Sequence, residues 1–188
     1  KIVDTNDEWI ITRTGIKERR VLEKTQAASD LALRASERAL EDAGLAVEDL
    51  NAIIVGTCTP DYQIPSLACV LEAKLGAKGV FSFDVNAACA GFLNALSVTD
   101  MFIRSGQIRN ALVVGTDVLS RFLDWQDRST CILFGDGAGA AIVSASDDND
   151  RGILSSRLQT DGSYAETLYI RAGGSKKPAT QETVENRE

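Results

Sequence analysis

Histidine is absent from the sequence of 188 residues. Its side chain ordinarily titrates near neutral pH, and it is a common general acid or base and a common metal ligand. A histidine general base, a histidine-activated nucleophile and a histidine metal site are therefore excluded within this chain alone.

Cysteine is scarce, and no two cysteines form a Cys-x-x-Cys pair. The four positions are Cys58, Cys69, Cys89 and Cys131. This wide spacing argues against a disulfide scaffold or a zinc site and favours reduced thiols, so we expect a cytoplasmic location. Long hydrophobic runs are also lacking, since no apolar stretch reaches the roughly 18 residues of a membrane span. We therefore expect no association with a membrane.

Positive charge is in deficit, because 20 basic residues face 27 acidic ones and the net charge is −7. The chain has no basic stripe that could neutralise a row of phosphates, which argues against a nucleic-acid binder. Small anionic ligands stay open, because they need only a few well-placed cations. With 44% hydrophobic residues, the composition is that of an ordinary globular domain.

Segments with apolar residues at helical spacing alternate with short apolar runs rich in β-branched residues. This order predicts an α/β fold with a mostly parallel sheet and right-handed crossovers. The last two strands follow each other without a helix, so the sheet should be mixed. The predicted helices cover residues 25–44, 65–75 and 90–105, and the predicted strands cover residues 52–58, 80–85, 111–116 and 140–145.

Glycine-rich and polar segments complete the predicted organisation. Gly135–Gly139 is expected to be a tight turn before the last strand, since it lacks the lysine and hydroxyl residue of a phosphate loop. Residues 152–158 are expected to pair beside that strand. The polar tail that begins at Arg171 is expected to be a mobile loop.

Cys89 is the leading candidate for chemistry. It follows a predicted strand at a turn of small residues and precedes a predicted helix. A thiol at that position faces unpaired backbone N–H groups and the positive end of the helix dipole, both of which stabilise a thiolate. The residues alone leave a second interpretation open, because a buried structural position is the commoner fate of a cysteine. The other three cysteines are expected to be structural.

Five segments match one known family in order and spacing: Asp4–Ile16, Asp84–Phe92, Ala111–Leu119, Phe134–Ala141 and Asp161–Tyr164. They resemble the β-ketoacyl-acyl-carrier-protein synthase III family of the thiolase superfamily. The resemblance implies a thiolase-like α/β fold, the N-terminal half of a duplicated, five-layered α-β-α-β-α arrangement.

The same resemblance implies how the chain is divided. Residues 1–170 would form the N-terminal half, with its first strand lying upstream. Residues 171–188 would be the mobile loop that leads to a C-terminal half. The family's catalytic histidine and asparagine would lie in that second half, so the catalytic set within this chain would be incomplete.

The family's reaction gives Cys89 a role. The resemblance implies that Cys89 takes an acyl group from acyl-CoA, commonly acetyl-CoA, as a thioester. Malonyl-acyl carrier protein would then bind and lose CO2, and its carbanion would attack the thioester to start fatty-acid synthesis. Acyl-CoA is a substrate, so no cofactor and no metal are implied. The enzyme is expected to be a homodimer, and the fragment alone is expected to be inactive in condensation.

Three residues match family positions that contact CoA. Trp9 and Arg13 would line the entrance, with the indole stacking on adenine and the guanidinium meeting phosphate. Arg128 would hold the adenine from its other side. Read without the resemblance, Trp9 is better explained by packing on a sheet edge, and the arginines by solvation.

Three further residues match positions around the acyl pocket. Ile64 would reach across a dimer interface to the floor of the partner's pocket, where many relatives carry phenylalanine. An isoleucine there is shorter and removes a flat ring, so the pocket could admit a primer other than acetyl. Leu119 and Phe134 would form other walls. Plain core packing is the alternative for all three.

Other functions remain open at this level. A ketosynthase III homologue of secondary metabolism and a hydroxymethylglutaryl-CoA synthase belong to the same superfamily. A non-catalytic dimerisation partner with this fold would be a different class of protein. The intact Cys89 argues against that last alternative, because a scaffold has no chemical need for the thiol.

Overall fold

The structure, a computed structural model, describes residues 3–148 and 151–187. The predicted segments, residues 1–170 and 171–188, include residues 1–2, 149–150 and 188, which lie outside the described part. The helices are α1 (Asp7–Thr14), α2 (Ala28–Ala43), α3 (Leu67–Leu75), α4 (Gly91–Arg104), α5 (Arg128–Cys131) and α6 (Gln181–Glu185). The strands are β1 (Ala52–Gly56), β2 (Phe81–Val85), β3 (Asn110–Val118) and β4 (Asp136–Ser144).

The four strands form one sheet in the order β2-β1-β3-β4. β1 runs parallel to both β2 and β3, with Ile54 opposite Phe83 on one side and Val113 on the other. β4 runs antiparallel to β3. The predicted α/β class with a mixed, mostly parallel sheet is therefore confirmed.

Every residue of β1 is buried, because helices cover both faces of the sheet. Side chains alternate along a strand. Ile53 and Val55 accordingly pack into the core beneath α2 and α3, and Ala52 and Ile54 pack into the core beneath α4. This two-sided burial explains why β1 reads in sequence as a continuous apolar run and not as an alternating one.

The helix boundaries depend on polar caps as well as on apolar spacing. α3 begins at Leu67, two residues after the predicted start at Pro65. The helix begins there because the Ser66 side chain accepts a hydrogen bond from the backbone N–H of Cys69. The Asp84 carboxylate on β2 accepts from the backbone N–H groups of Leu67 and Ala68, at 2.7 and 2.8 Å. This carboxylate satisfies free donors of the first turn and ties α3 to the sheet.

Several predicted elements need correction. Gly135–Gly139 is not a tight turn, because β4 already begins at Asp136. Gly137 and Gly139 therefore lie within the strand. No strand is found among residues 151–187, so the predicted pairing of residues 152–158 is wrong. β2 lies at the sheet edge and is only partly buried, whereas a buried strand was expected before Cys89.

The sequence interpretation assigned no helix to residues 7–14, although the signals of α1 are present. Asn6 caps the helix by accepting from the backbone N–H of Trp9 at 2.8 Å, and Gly15 ends it in the left-handed conformation at φ 71°. Within the described part of the chain, no helix is both long and apolar enough to cross a membrane.

Candidate active site

Cys89 lies on the connection between β2 and α4. The residues Ala88–Ala90 form a 3₁₀ turn, and α4 follows directly from Gly91. Ala88 adopts φ 45°, which is rare for a residue with a side chain and marks local backbone strain. The Cys89 side chain is exposed. A strained strand-to-helix turn that presents an exposed thiol is the arrangement of a nucleophile elbow, and it is unlike a buried structural cysteine.

Two glycines let the turn that carries Cys89 approach the sheet. A Cβ atom placed on Gly56, the last residue of β1, would lie 2.3 Å from the carbonyl carbon of Gly91. No real side chain tolerates that distance, so the end of β1 and the start of α4 touch backbone to backbone. This contact fixes where α4 begins, and thereby where Cys89 lies above the sheet.

An open cleft of about 500 Å³ lies at this end of the sheet. The glycines of β4 contribute no side chains to its floor, which keeps the space beside Cys89 free. Its lining residues come from the ends of β1 and β3, from the Cys89 turn and from β4: Gly56, Ala88, Cys89, Phe92, Gly115, Thr116, Asp117, Gly135, Gly137, Ala138, Gly139 and Ala140.

Asp117, near the end of β3, organises the chain that leaves β1. One oxygen, Oδ1, accepts hydrogen bonds from the Thr57 hydroxyl at 3.2 Å, the Thr59 hydroxyl at 2.9 Å and the backbone N–H of Cys58 at 2.9 Å. The Thr59 hydroxyl accepts in turn from the backbone N–H of Val118 at 2.8 Å. These bonds wrap residues 57–59 around one carboxylate at the edge of the cleft.

Cys58 lies in this wrapped segment and not in β1, which ends two residues earlier. Its Sγ donates to Asp117 Oδ1 at 3.3 Å. Partial burial, followed by the charge of Asp117 and this hydrogen bond, raises the pKa of the Cys58 thiol to about 11. Of the other cysteines expected to be structural, Cys131 is buried and Cys69 is exposed on α3.

Trp9, Arg13 and Arg128 come together in one cluster. The guanidinium carbon of Arg13 lies 4.4 Å from the centre of the Trp9 ring, and that of Arg128 lies 4.8 Å from it. These distances are typical of cation–π contacts. Arg128, the first residue of α5, also donates to the backbone carbonyl of Asp4 at 3.2 Å. The structure thus unites the three residues predicted to contact CoA, although none of them lines the Cys89 cleft.

The three residues predicted around the acyl pocket lie on three separate segments of the chain. Ile64 is 89% exposed in the loop before α3. Leu119 lies in the 3₁₀ turn after β3, and the backbone carbonyl of Phe134 accepts from Arg19 at 2.9 Å. None of the three is among the side chains that line the cleft.

Asp136, at the start of β4, holds the segments next to the cleft. Its carboxylate accepts from the backbone N–H of Leu22 at 2.7 Å and from the hydroxyl of Ser120 at 2.6 Å. It thereby joins the loop after α1 to the turn after β3. Sequence reasoning identified neither Asp136 nor Asp117 as part of the site. For Asp117 the available signal was a polar residue at the end of a buried parallel strand, where α/β proteins place ligands. Asp136 begins an antiparallel strand and carries no such signal.

A metal centre has no support in the described residues, since they contain no group of three or more cysteine, aspartate and glutamate side chains placed to hold an ion. The chemistry that the arrangement offers is that of one exposed thiol. It stands in the 3₁₀ turn before α4, beside an open cleft. The backbone N–H groups of Ala90 and Gly91 already donate to the carbonyls of Ala87 and Ala88, so they are not the unpaired donors that the sequence predicted at this position.

Comparison with known proteins gives the family. The sequence model of the 3-oxoacyl-[acyl-carrier-protein (ACP)] synthase III family matches residues 83–162. The chain is 54% identical over 185 residues to the β-ketoacyl-[acyl-carrier-protein] synthase III of Caldanaerobacter subterraneus subsp. tengcongensis. That match covers 98% of this chain and 56% of the relative.

Solved structures agree. The 3-oxoacyl-[acyl-carrier-protein] synthase III of Aquifex aeolicus VF5 superposes with a TM-score of 0.87 at 46% identity, over 98% of this chain and 59% of that one. The priming β-ketosynthase of the R1128 polyketide pathway superposes with a TM-score of 0.76 at 42% identity, over 78% of this chain and 44% of that one.

The chain spans about half the length of the curated relatives it matches, 56% in the case of the Caldanaerobacter protein. Within that span the predicted thiolase-like α/β class and the predicted family are both confirmed. The chain belongs to the β-ketoacyl-[acyl-carrier-protein] synthase III family.

Proposed function

We propose that the protein loads an acyl group from acyl-CoA onto Cys89 and condenses it with malonyl-acyl carrier protein, with loss of CO2, to start fatty-acid synthesis. The observation that carries this proposal is the exposed Cys89 thiol on a strained turn at the start of α4, facing an open cleft. No cofactor is needed, because acyl-CoA is itself an activated thioester. The proposed location is the cytoplasm.

The loading step is a thioester exchange. The Cys89 thiolate attacks the acyl carbonyl, the negative charge moves to the carbonyl oxygen, and the tetrahedral intermediate collapses as the CoA thiolate leaves and takes up a proton. The backbone N–H of Cys89, together with a second donor, is suited to stabilise the oxyanion. The acyl group then stays on the protein after CoA departs, as a ping-pong sequence requires.

The Trp9 cluster is the proposed CoA contact. An indole with two guanidinium groups beside it offers a stacking surface for adenine and donors for phosphate, within a chain whose net charge is −7. An adenine lying between Trp9 and Arg128 needs about 7 Å, which is two ring-contact distances. Since the guanidinium of Arg128 now lies 4.8 Å from the ring centre, Arg128 has to move aside when CoA binds.

A homodimer is part of the proposal. Ile64, at 89% exposure, is the most exposed large hydrophobic side chain in the described part of the chain. Its burial against a second copy, at the floor of the partner's acyl pocket, would explain this exposure. In that position an isoleucine leaves more room than a phenylalanine, so primers other than acetyl are expected to fit. Leu119 and Phe134 are the proposed remaining walls.

The condensation step needs groups that residues 1–188 do not contain. The proposal assigns it a histidine and an asparagine, and the sequence has no histidine at all. Residues 1–188 on their own are therefore expected to produce no β-ketoacyl product from acyl-CoA and malonyl-acyl carrier protein.

A related function in secondary metabolism is the second candidate, since a priming ketosynthase of a polyketide pathway superposes at 42% identity. The two functions differ in the primer and the destination of the product, not in the role of Cys89. A non-catalytic dimerisation partner fits less well, because it gives no reason for an exposed thiol beside an open cleft.

The deciding experiment follows the acyl group. The full-length protein is incubated with radiolabelled acetyl-CoA and digested, and the labelled peptide is identified. We expect one label, on the peptide that contains Cys89, and its loss in Cys89→Ala. Cys69→Ala removes the exposed cysteine of α3 and should keep the label. An unlabelled Cys89 peptide, or a label that persists in Cys89→Ala, would overturn the proposed acyl transfer.

A further inference from the structure

Two cysteines, and not one, lie at this end of the sheet. Cys58 follows Gly56 by two residues and Cys89 precedes Gly91 by two residues, and the two glycines are in backbone contact. Asp117, which accepts from the Cys58 thiol at 3.3 Å, lines the same cleft as Cys89. Cys58 itself is not among the residues that line the cleft, but its sulfur lies 3.3 Å from the carboxylate of a residue that does, so an ionised Cys58 would be a second nucleophile next to the cleft.

We propose that Asp117 is a positioning residue that holds Cys58 as a neutral thiol, so that Cys89 is the single nucleophile at this end of the sheet. The geometry supports this role in two ways. The carboxylate accepts the S–H of Cys58, and a hydrogen bond donated by the thiol is lost when the thiol ionises. The same oxygen also accepts from the backbone N–H of Cys58 at 2.9 Å, which holds the Cys58 backbone next to the negative charge.

The electrostatic surroundings of Cys58 act in the same direction. The titratable groups whose charge acts on it are Asp117 on β3 and Cys89 in the turn before α4, and both oppose a second negative charge. Partial burial adds to their effect, and together these causes raise the pKa of Cys58 to about 11. At neutral pH the thiolate fraction is therefore very small, and only the thiolate is nucleophilic.

This inference deepens the proposed function, and its chemical consequence rests on it. If Cys58 ionised, its thiolate could attack the acyl carbonyl on Cys89, expel the Cys89 thiolate and take over the acyl group. A neutral Cys58 prevents that transfer, and the acyl group stays where the condensing step needs it.

The test measures alkylation by iodoacetamide, which needs no acyl substrate. The full-length wild type and Asp117→Asn are treated briefly between pH 6 and pH 10, and the modified fraction of each cysteine peptide is measured by mass spectrometry. Asparagine keeps the shape and one acceptor oxygen but removes the charge. We expect the alkylation rate of Cys58 at pH 8.5 to rise about tenfold in Asp117→Asn, which corresponds to a one-unit fall in its pKa.

Thr57→Val is the matched control. It deletes the longer of the two hydroxyl contacts to Asp117, at 3.2 Å, together with the acceptor of the Thr59 backbone N–H, and leaves the charge in place. If charge is the cause, the pH profile of Cys58 in Thr57→Val stays near that of the wild type. An unchanged Cys58 profile in folded Asp117→Asn, or equal shifts in both variants, would overturn the proposal. Circular dichroism establishes that each variant is folded.

A second readout separates this inference from the proposed function. With labelled acetyl-CoA at pH 9, Asp117→Asn is expected to carry label on the Cys58 peptide as well as on the Cys89 peptide. If neither variant nor wild type is acylated while the alkylation of Cys58 still responds to Asp117, then the proposed acyl transfer fails and the positioning role stands.

Discussion

The position of Cys89 depends on residues that have no functional group. Gly56 and Gly91 allow β1 and α4 to touch, and Gly115 leaves room for Phe92, whose Cβ lies 3.0 Å from where a Cβ of Gly115 would be. Since protein interiors are close-packed, one added methyl group at such a contact forces the backbone to move. The precision of the site therefore comes from missing side chains.

Gly56→Ala tests this at the scale of one residue. The new methyl group would meet the Gly91 carbonyl carbon at 2.3 Å, so α4 must shift and carry Cys89 with it. We expect a loss of about 1–3 kcal/mol in the free energy of unfolding, measured with urea, and slower alkylation of Cys89. Gly137→Ala is the control for stability alone, because nothing lies within 4 Å of its added Cβ although the residue lines the cleft. Equal stability of the two variants would contradict this account.

The elements on one face of the sheet are joined by carboxylates at helix starts. Asp30, in the first turn of α2, accepts from the backbone N–H of Ala27 at 2.8 Å and pairs with Lys74 of α3 at 2.6 Å. Asp84 binds the first turn of α3 in the same manner. Each carboxylate satisfies donors that a helix leaves free and also links two elements, which orients α2 and α3 over β1.

This linkage predicts a pH dependence. The hydrogen bond from Lys74, followed by that from Ala27, holds the pKa of Asp30 below its usual value. A depressed folded-state pKa contributes stability above the unfolded pKa, and that contribution is lost as pH falls from about 4 through the folded value. In urea unfolding between pH 3 and pH 7, Asp30→Asn should lose stability less steeply below pH 4 than the wild type.

Lys74→Gln serves as the matched variant for that measurement, because it removes the largest cause of the shift and keeps the carboxylate. Its stability should likewise fall less steeply below pH 4 than that of the wild type. At pH 7 both variants should differ from the wild type by less than about 1 kcal/mol, since the pair is partly exposed. If the stability of both variants falls as steeply below pH 4 as that of the wild type, the Asp30–Lys74 pair does not contribute to the pH dependence.

At the scale of the whole molecule, the sheet carries a helical layer on each face, and the cleft opens where β1 and β3 end. β2 pairs only with β1 among the described strands, so one of its edges is open. The exposed Ile64 lies in the loop between β1 and α3. The proposed dimer gives this side chain a partner surface.

Ile64→Asp tests that assembly. A charge placed in an apolar contact between two copies is costly to bury, so we expect the variant to shift toward monomer in analytical ultracentrifugation. Ile64→Val keeps the apolar character and should remain dimeric. The melting temperature of each monomer should be little affected, because the side chain is 89% exposed in the single chain. A dimer unchanged by the aspartate would remove Ile64 from the interface.

The sequence by itself determined the features that depend on local spacing. Apolar periodicity gave α2, α4 and the four strands to within a few residues, because each pattern reflects the helix or strand in which it lies. The setting of Cys89 between a strand and a helix is local in the same sense. α1 was missed although its caps are readable, and the β4 glycines were misread because glycine in sequence does not distinguish a turn from a strand that borders a cleft.

Only the tertiary structure decided which distant residues meet. Parallel pairing of β1 with β3 places Asp117 against residues 57–59, and the packing of α5 beside α1 places Arg128 over Trp9. No local pattern records such contacts, because strand order and register depend on the packing of the entire core. Cys89 could therefore be recognised from the sequence, whereas the neutral thiol beside it and the carboxylate that governs that thiol became visible only in the folded chain.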